Sequence, residues 1–108
     1  MITLYGTPLS RAGRCLWMLE EVGVPFTNVP TLFAGEAQTA EFRRLNPNGR
    51  IPVLDDDGTI VWESMAINLH LAEKYDKGFR PKPGAERAHI LQWSFWGCLL
   101  YTSDAADD

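Results

Sequence analysis

Apolar and polar residues alternate from Ile2 to Tyr5 and stop at Gly6, the pattern of a strand closed by a turn. Ser10 then offers a helix N-cap, and Ala12, Cys15, Leu16, Leu19 and Val22 recur at helical spacing. Gly23 supplies a C-cap and Pro25 prevents continuation. Phe26 to Val29 alternates again, which predicts a second strand and hence a right-handed parallel strand–helix–strand crossover. Thr31 to Gln38 reads as a loop, and Thr39 to Leu45 as a short helix with Phe42 and Leu45 turned inward. After the turn Asn46-Pro47-Asn48-Gly49, a strand runs from Ile51 to Leu54. Asp55-Asp56-Asp57-Gly58 signals a hairpin, and Thr59 to Trp62 is the returning strand. Ser64 caps a second helix with Ala66, Ile67, Leu69, Leu71 and Tyr75 on its apolar side. Residues 77–84, with Gly78, Pro81, Pro83 and Gly84, read as an interdomain linker, and a third helical pattern begins at Ala85. This order predicts an α/β fold: a four-stranded mixed sheet with helices packed on it.

Composition changes this picture little. At 108 residues the chain is long enough for one core, and 45% hydrophobic with 22% charged residues is ordinary for a globular protein. The net charge of -4 falls to -1 without the terminal Asp104, Asp107 and Asp108, so nothing electrostatic points to nucleic acid or an anionic membrane. Cys15 and Cys98 are far apart, which reads as reduced thiols. His70 and His89 lack metal-ligand spacing, and no metal is expected. With no signal-peptide pattern and no apolar run near the roughly 20 residues of a bilayer span, the expected location is the cytoplasm.

The chemistry is concentrated between residues 46 and 75. Asn46-Pro47-x-Gly49-Arg50-Ile51-Pro52-Val53-Leu54, Asp57-Gly58, Glu63-Ser64-x-Ala66-Ile67 and Tyr75, in this order and spacing, closely resemble the N-terminal domain of the glutathione transferase family over residues 1 to 97. The resemblance implies a thioredoxin-like βαβ-α-ββα domain over residues 1–76, the linker 77–84, and over 85–97 the first helix of an all-α C-terminal domain. It also implies glutathione as cosubstrate with no other cofactor, a small hydrophobic electrophile as second substrate, and a homodimeric full-length parent. The serine at position 10 is of the kind that theta- and delta-type relatives hold there.

Each site residue has a physical rationale beside the inherited one. A proline opening a strand lacks the N–H of a ladder bond. The resemblance implies a cis Ile51–Pro52 bond, with the Ile51 backbone pairing to the cysteinyl residue of an extended peptide as an added strand. The plain alternative is a trans edge proline. Glu63 and Ser64 stand at a helix N-terminus, where orphan N–H groups and the dipole favour an anion. By resemblance Ser64 binds the γ-glutamyl carboxylate and Glu63 its ammonium; alternatively Ser64 only caps. Ser10 is the residue whose matching serine hydrogen-bonds the glutathione sulfur and favours its thiolate, with Thr7 as the other hydroxyl in reach. Tyr5, within the strand, is the poorer candidate. Arg50 fits the glycine carboxylate or a solvated surface equally. Arg11 and Arg14 on the first helix read as a solvated face, with contact to ligand or a partner subunit as the alternative.

From Gly97 the text departs from the family, and residues 98–108 resemble translated sequencing-adapter sequence, as if a reading frame had been cut short. Trp93, Phe95, Trp96, Leu99 and Leu100 would then lack helices to pack against, with self-association, weak glutathione binding and little turnover expected. Besides isomerase or dehalogenase activity within the same superfamily, two other functions fit the fold. One is a non-catalytic interaction module. The other is a glutaredoxin-like disulfide reductase, for which Ser10-Arg11-Ala12-Gly13 lacks the cysteine and Cys15 lies a turn too late.

Overall fold

The structure, a computed structural model, describes residues 1–98 in full and the helical backbone of residues 99 and 100. Strands β1 (Ile2–Tyr5), β2 (Thr27–Val29), β3 (Val53–Asp56) and β4 (Thr59–Trp62) form one sheet in the order β2-β1-β3-β4. Helix α1 (Ala12–Val22) makes the crossover from β1 to the parallel β2, whereas β3 pairs antiparallel with both β1 and β4. Helix α2 (Ser64–Lys74) follows the hairpin, and α3 (Ala85–Leu100) lies beyond a coil over residues 75–84.

The sheet buries apolar residues on both faces. Ile2, Leu4 and Leu54 meet Cys15 and Leu19 of α1 and Ile67 and Leu71 of α2 on one side. Val53 meets Ile51, Ala37 and Phe42 on the other. Successive strand residues point to opposite faces, so the apolar run Ile51 to Leu54 is what a strand covered on both sides requires. Asp57 (φ 52°) and Gly58 (φ 96°) both take the left-handed conformation, the geometry of a two-residue hairpin turn with the right twist for its strands.

Three local features differ from the sequence pattern. Strand β2 begins at Thr27, and Phe26 instead packs against the core. Residues 39–45 do not form a helix. Two single 3₁₀ turns, Glu36–Gln38 and Phe42–Arg44, flank an extended Thr39 whose hydroxyl donates to Glu36 O (2.8 Å) and accepts from Phe42 N–H (3.1 Å). A threonine that satisfies the neighbouring backbone in this way competes with helix propagation. Neither serine sits at an N-cap position. Arg11 precedes α1 and Glu63 precedes α2, and neither makes a side-chain cap bond, although Ser10 Oγ accepts from Ala12 N–H, the first of α1. Helix α3 runs to Leu100, as far as the helical sequence pattern does, and the residues expected to be foreign from Tyr101 on lie outside those described. Along α3, Trp93, Phe95 and Trp96 are all more than half exposed, with the two indoles edge-to-face at 5.4 Å.

A buried carboxylate ties the hairpin to α2. Asp56, at the end of β3, is 2% exposed and accepts hydrogen bonds from Lys74 Nζ (2.8 Å), Tyr75 OH (2.9 Å) and His70 Nε2 (2.8 Å). Burial pushes this carboxyl up, but the three bonds outweigh it and hold its pKa below the usual value. His70, which has no assigned role in the sequence pattern, is therefore part of the fold's framework.

Candidate functional site

The loop between the second 3₁₀ turn and β3 is organised by Asn46, which is 2% exposed. Its Nδ2 donates to Arg50 O (3.0 Å), and its Oδ1 accepts from Asn48 N–H (3.0 Å). Gly49 (φ 63°) closes the turn with its N–H on Asn46 O, and a Cβ there would lie 2.8 Å from the Arg43 guanidinium. Gln38 Nε2 donates to Gly49 O (2.8 Å) and Phe33 O (2.7 Å), while Arg43 donates to Pro47 O (3.0 Å) and Gln38 Oε1 (2.6 Å). The result is a fixed platform for Arg50, Ile51 and Pro52. The Ile51–Pro52 bond is cis, and the β3 ladder begins only at Val53, so the Ile51 peptide groups stand beyond the strand pairing. Arg50 lies with its guanidinium 5.8 Å from the centre of the Phe33 ring.

Opposite this platform is the start of α2. Glu63 adopts φ 80° and ψ 119°, left-handed backbone that a side chain rarely takes, and Ser64 behind it is buried. The first turn of α2 contains no acidic residue, so its unpaired N–H groups and positive dipole end remain directed at whatever lies before them. Helix α1 braces this terminus, since Cys15 Sγ donates to Ser64 O at 3.6 Å.

These elements enclose a cavity of about 240 Å³ lined by Arg11, Asn46, Arg50, Ile51, Pro52, Glu63 and Ser64. All five residues expected to bind the peptide thus face one space. The two hydroxyl candidates are not in its lining. Ser10 sits in the adjoining turn, where its Oγ donates to Thr7 O (2.7 Å) and accepts from Ala12 N–H (3.1 Å). The Ser10 hydroxyl proton is therefore on the Thr7 carbonyl, inside the turn. That turn is tight, for a Cβ on Gly6 would lie 2.4 Å from Ala12 Cβ.

Two lining residues stand outside the expected glutathione-binding set. Asn46 reads there only as a turn residue. Arg11 reads as solvated helix surface, although it lies four residues before the inward Cys15 and so shares its face. Arg14, read in the same way, has its guanidinium 3.9 Å from Cys98 Sγ. Among the described residues no three His, Cys, Asp or Glu side chains come together as a metal site, and no helix is long and apolar enough to cross a membrane.

Cys15 is fully buried, and burial pushes its thiol up to about 12 against the smaller opposing effect of the Arg14 charge. The thiolate is the reactive form, so this cysteine is inert at neutral pH. Brief alkylation of the native chain is expected to modify Cys98 and spare Cys15 until denaturant is added. Rapid native-state labelling of Cys15, read by peptide mass spectrometry, contradicts this and would restore the disulfide-reductase chemistry.

The family model for the N-terminal domain of glutathione S-transferase matches residues 1–73. The chain is 39% identical over 101 residues to the glutathione S-transferase hmp2 of Hypomyces subiculosus, covering 93% of this chain and 47% of that protein. Among solved structures it resembles the theta class glutathione S-transferase of Xanthomonas axonopodis pv. citri with glutathione bound. The TM-score is 0.81 with 39% identity, covering 88% of this chain and 47% of that one. It also resembles the glutathione transferase URE2P6 of Phanerochaete chrysosporium in complex with oxidized glutathione, with a TM-score of 0.80 and 34% identity over 88% and 47% of the respective chains. The chain thus spans about half the length of these relatives, and α3 is the first helix of the second, helical domain. On its sequence, its four-stranded thioredoxin-like sheet and the match over most of its length, this chain belongs to the glutathione S-transferase family.

Proposed function

We propose that this chain carries the glutathione-binding site of a glutathione transferase, and that the parent protein joins the glutathione thiolate to a small hydrophobic electrophile. The observation that carries the reading is the convergence of Arg50, Ile51 and Pro52 with Glu63 and Ser64 on one cavity. In this reading the peptide groups of Ile51, outside the β3 ladder, pair with the cysteinyl backbone. Ser64 and the N–H groups of α2 take the γ-glutamyl carboxylate, Glu63 its ammonium, and Arg50 the glycine carboxylate. That two similar structures are described with glutathione or oxidized glutathione supports the ligand. The reading extends to a glutathione domain over residues 1–76, the linker 77–84, the first helix of the second domain over 85–97, a homodimeric parent and a cytoplasmic location.

Ser10 is the thiol-activating group in this proposal and Thr7 the alternative. A cysteine thiol titrates near 8.5, and lowering it by about two units needs roughly 3 kcal/mol. The α1 N-terminus and one hydroxyl hydrogen bond can supply that much. Ser10 must first swing its proton from Thr7 O toward the sulfur, exchanging one hydrogen bond for a stronger, charge-assisted one. The thiolate then attacks the electrophile directly, with no covalent enzyme intermediate. Ser10→Ala is expected to raise the pKa of bound glutathione by about one to two units, as read from thiolate ultraviolet absorbance, with affinity little changed. The same shift on Thr7→Ala alone assigns the role to Thr7. No shift with either variant makes the chain a binding module rather than a catalyst.

A further inference from the structure

We propose that Arg11 is a specificity residue of this site, pairing with the α-carboxylate of the γ-glutamyl residue while Glu63 holds the neighbouring ammonium. The proposal rests on the glutathione reading above and assigns one further contact within it. Three observations carry it. Arg11 is half-buried and lines the same cavity as Glu63 and Ser64. Its place in the fold directs it there. Arg11 lies one helical turn before Cys15, whose Sγ touches Ser64 O, so the face of α1 that bears both residues packs on the start of α2.

The third observation is charge. The cavity lining contains two guanidinium groups, Arg11 and Arg50, and one carboxylate, Glu63. A γ-glutamyl tripeptide presents the complement, two carboxylates and one ammonium. Asn46 does not substitute for a second cation, because its amide is committed to Arg50 O and Asn48 N–H. Arg50 approaches from the loop platform beside Phe33, on a different element from the α2 terminus. A planar guanidinium can grip a carboxylate through two parallel hydrogen bonds, which a helix N-terminus alone does not do. Arg11, Ser64 and Glu63 together then form a cradle for an amino-acid zwitterion, and recognition at this end depends on both of its charges.

A cycle of protein and ligand changes tests this. Affinities of the 108-residue chain, wild type and Arg11→Met, are measured by calorimetry for glutathione and for γ-aminobutyryl-cysteinyl-glycine, which lacks only the α-carboxylate. Wild type is expected to prefer glutathione about tenfold, and Arg11→Met to lose part of that preference, the remainder resting on Ser64 and the α2 N–H groups. Arg11→Lys should restore part of it, which separates a lost charge from a disturbed fold. An undiminished preference in Arg11→Met overturns the proposal. So does a raised thiol pKa with the preference intact, which would place Arg11 on the sulfur. Wild type that binds neither ligand overturns the glutathione reading, and this contact with it.

Discussion

Asp56→Ala is expected to lower the stability of the folded chain by about 2–4 kcal/mol. The carboxylate is almost fully buried at the end of β3 and collects hydrogen bonds from Lys74, Tyr75 and His70. A hydrogen bond to a charged group contributes about 1.5–3 kcal/mol net. The total stays below the sum of three because Lys74 and His70 are partly exposed and regain water when the carboxylate is removed. The pH dependence follows from the direction of the shift. The Asp56 carboxyl titrates lower in the folded chain than in the unfolded one. Its contribution is thus complete above the unfolded carboxylate value of about 3.9 and is lost as the pH falls through the folded value. Lys74 behaves oppositely. Its pKa is raised, chiefly by the bond to Asp56, so its contribution is present below the unfolded lysine value of about 10.4 and lost as pH rises through the folded one. Urea unfolding followed by tryptophan fluorescence at neutral pH and near pH 3 should show a large gap between wild type and Asp56→Ala that shrinks in acid. Equal midpoints at neutral pH contradict this.

Glu63→Gly is expected to separate stability from binding. The backbone at Glu63 sits at φ 80°, ψ 119°, and such a conformation costs a non-glycine residue on the order of 1–3 kcal/mol. Glycine takes it without steric strain, although it loses about 0.5–1 kcal/mol more in conformational entropy on folding. The variant should therefore be as stable as wild type or about 1 kcal/mol more stable. Its glutathione affinity should nevertheless fall about tenfold or more, because the one carboxylate that lines the cavity among the described residues is gone and the γ-glutamyl ammonium is buried without a partner. Strain retained at a residue that faces the cavity is consistent with a site selected for binding geometry rather than for stability. A clear loss of stability with unchanged affinity, measured by thermal unfolding and calorimetry, would contradict both halves of the argument.

The elements legible in the sequence are those with strong local signals. Helix α1 has its apolar spacing and Gly23, whose N–H closes on Leu19 O with φ 71°. The β3–β4 hairpin has Asp57-Gly58, and α2 has the spacing of Ile67 and Leu71. The grouping of Arg50, Ile51, Pro52, Glu63 and Ser64 was legible only through the family motif, because residues 50 and 64 meet through the fold. Other features were decided by contacts that no local pattern encodes. Thr39 ends a turn that its neighbours would have extended into a helix. Among the three consecutive aspartates, only strand alternation marks Asp56 as sharing the face of Leu54, toward α2; their composition says turn. Arg11 is one of two arginines spaced like a solvated face, and only the packing of α1 on the α2 terminus turns it toward the cavity.

The central claim is that glutathione occupies the cavity between the Asn46–Pro52 platform and the start of α2. Titration of the isotope-labelled chain with reduced glutathione, followed by backbone amide resonances, tests it most directly. The account predicts saturable shifts concentrated at Arg11, Arg50, Ile51, Glu63 and Ser64, with the distant β2 strand and the Asp57–Gly58 turn unmoved. No saturable shift at millimolar glutathione, or shifts centred away from this cavity, would contradict it.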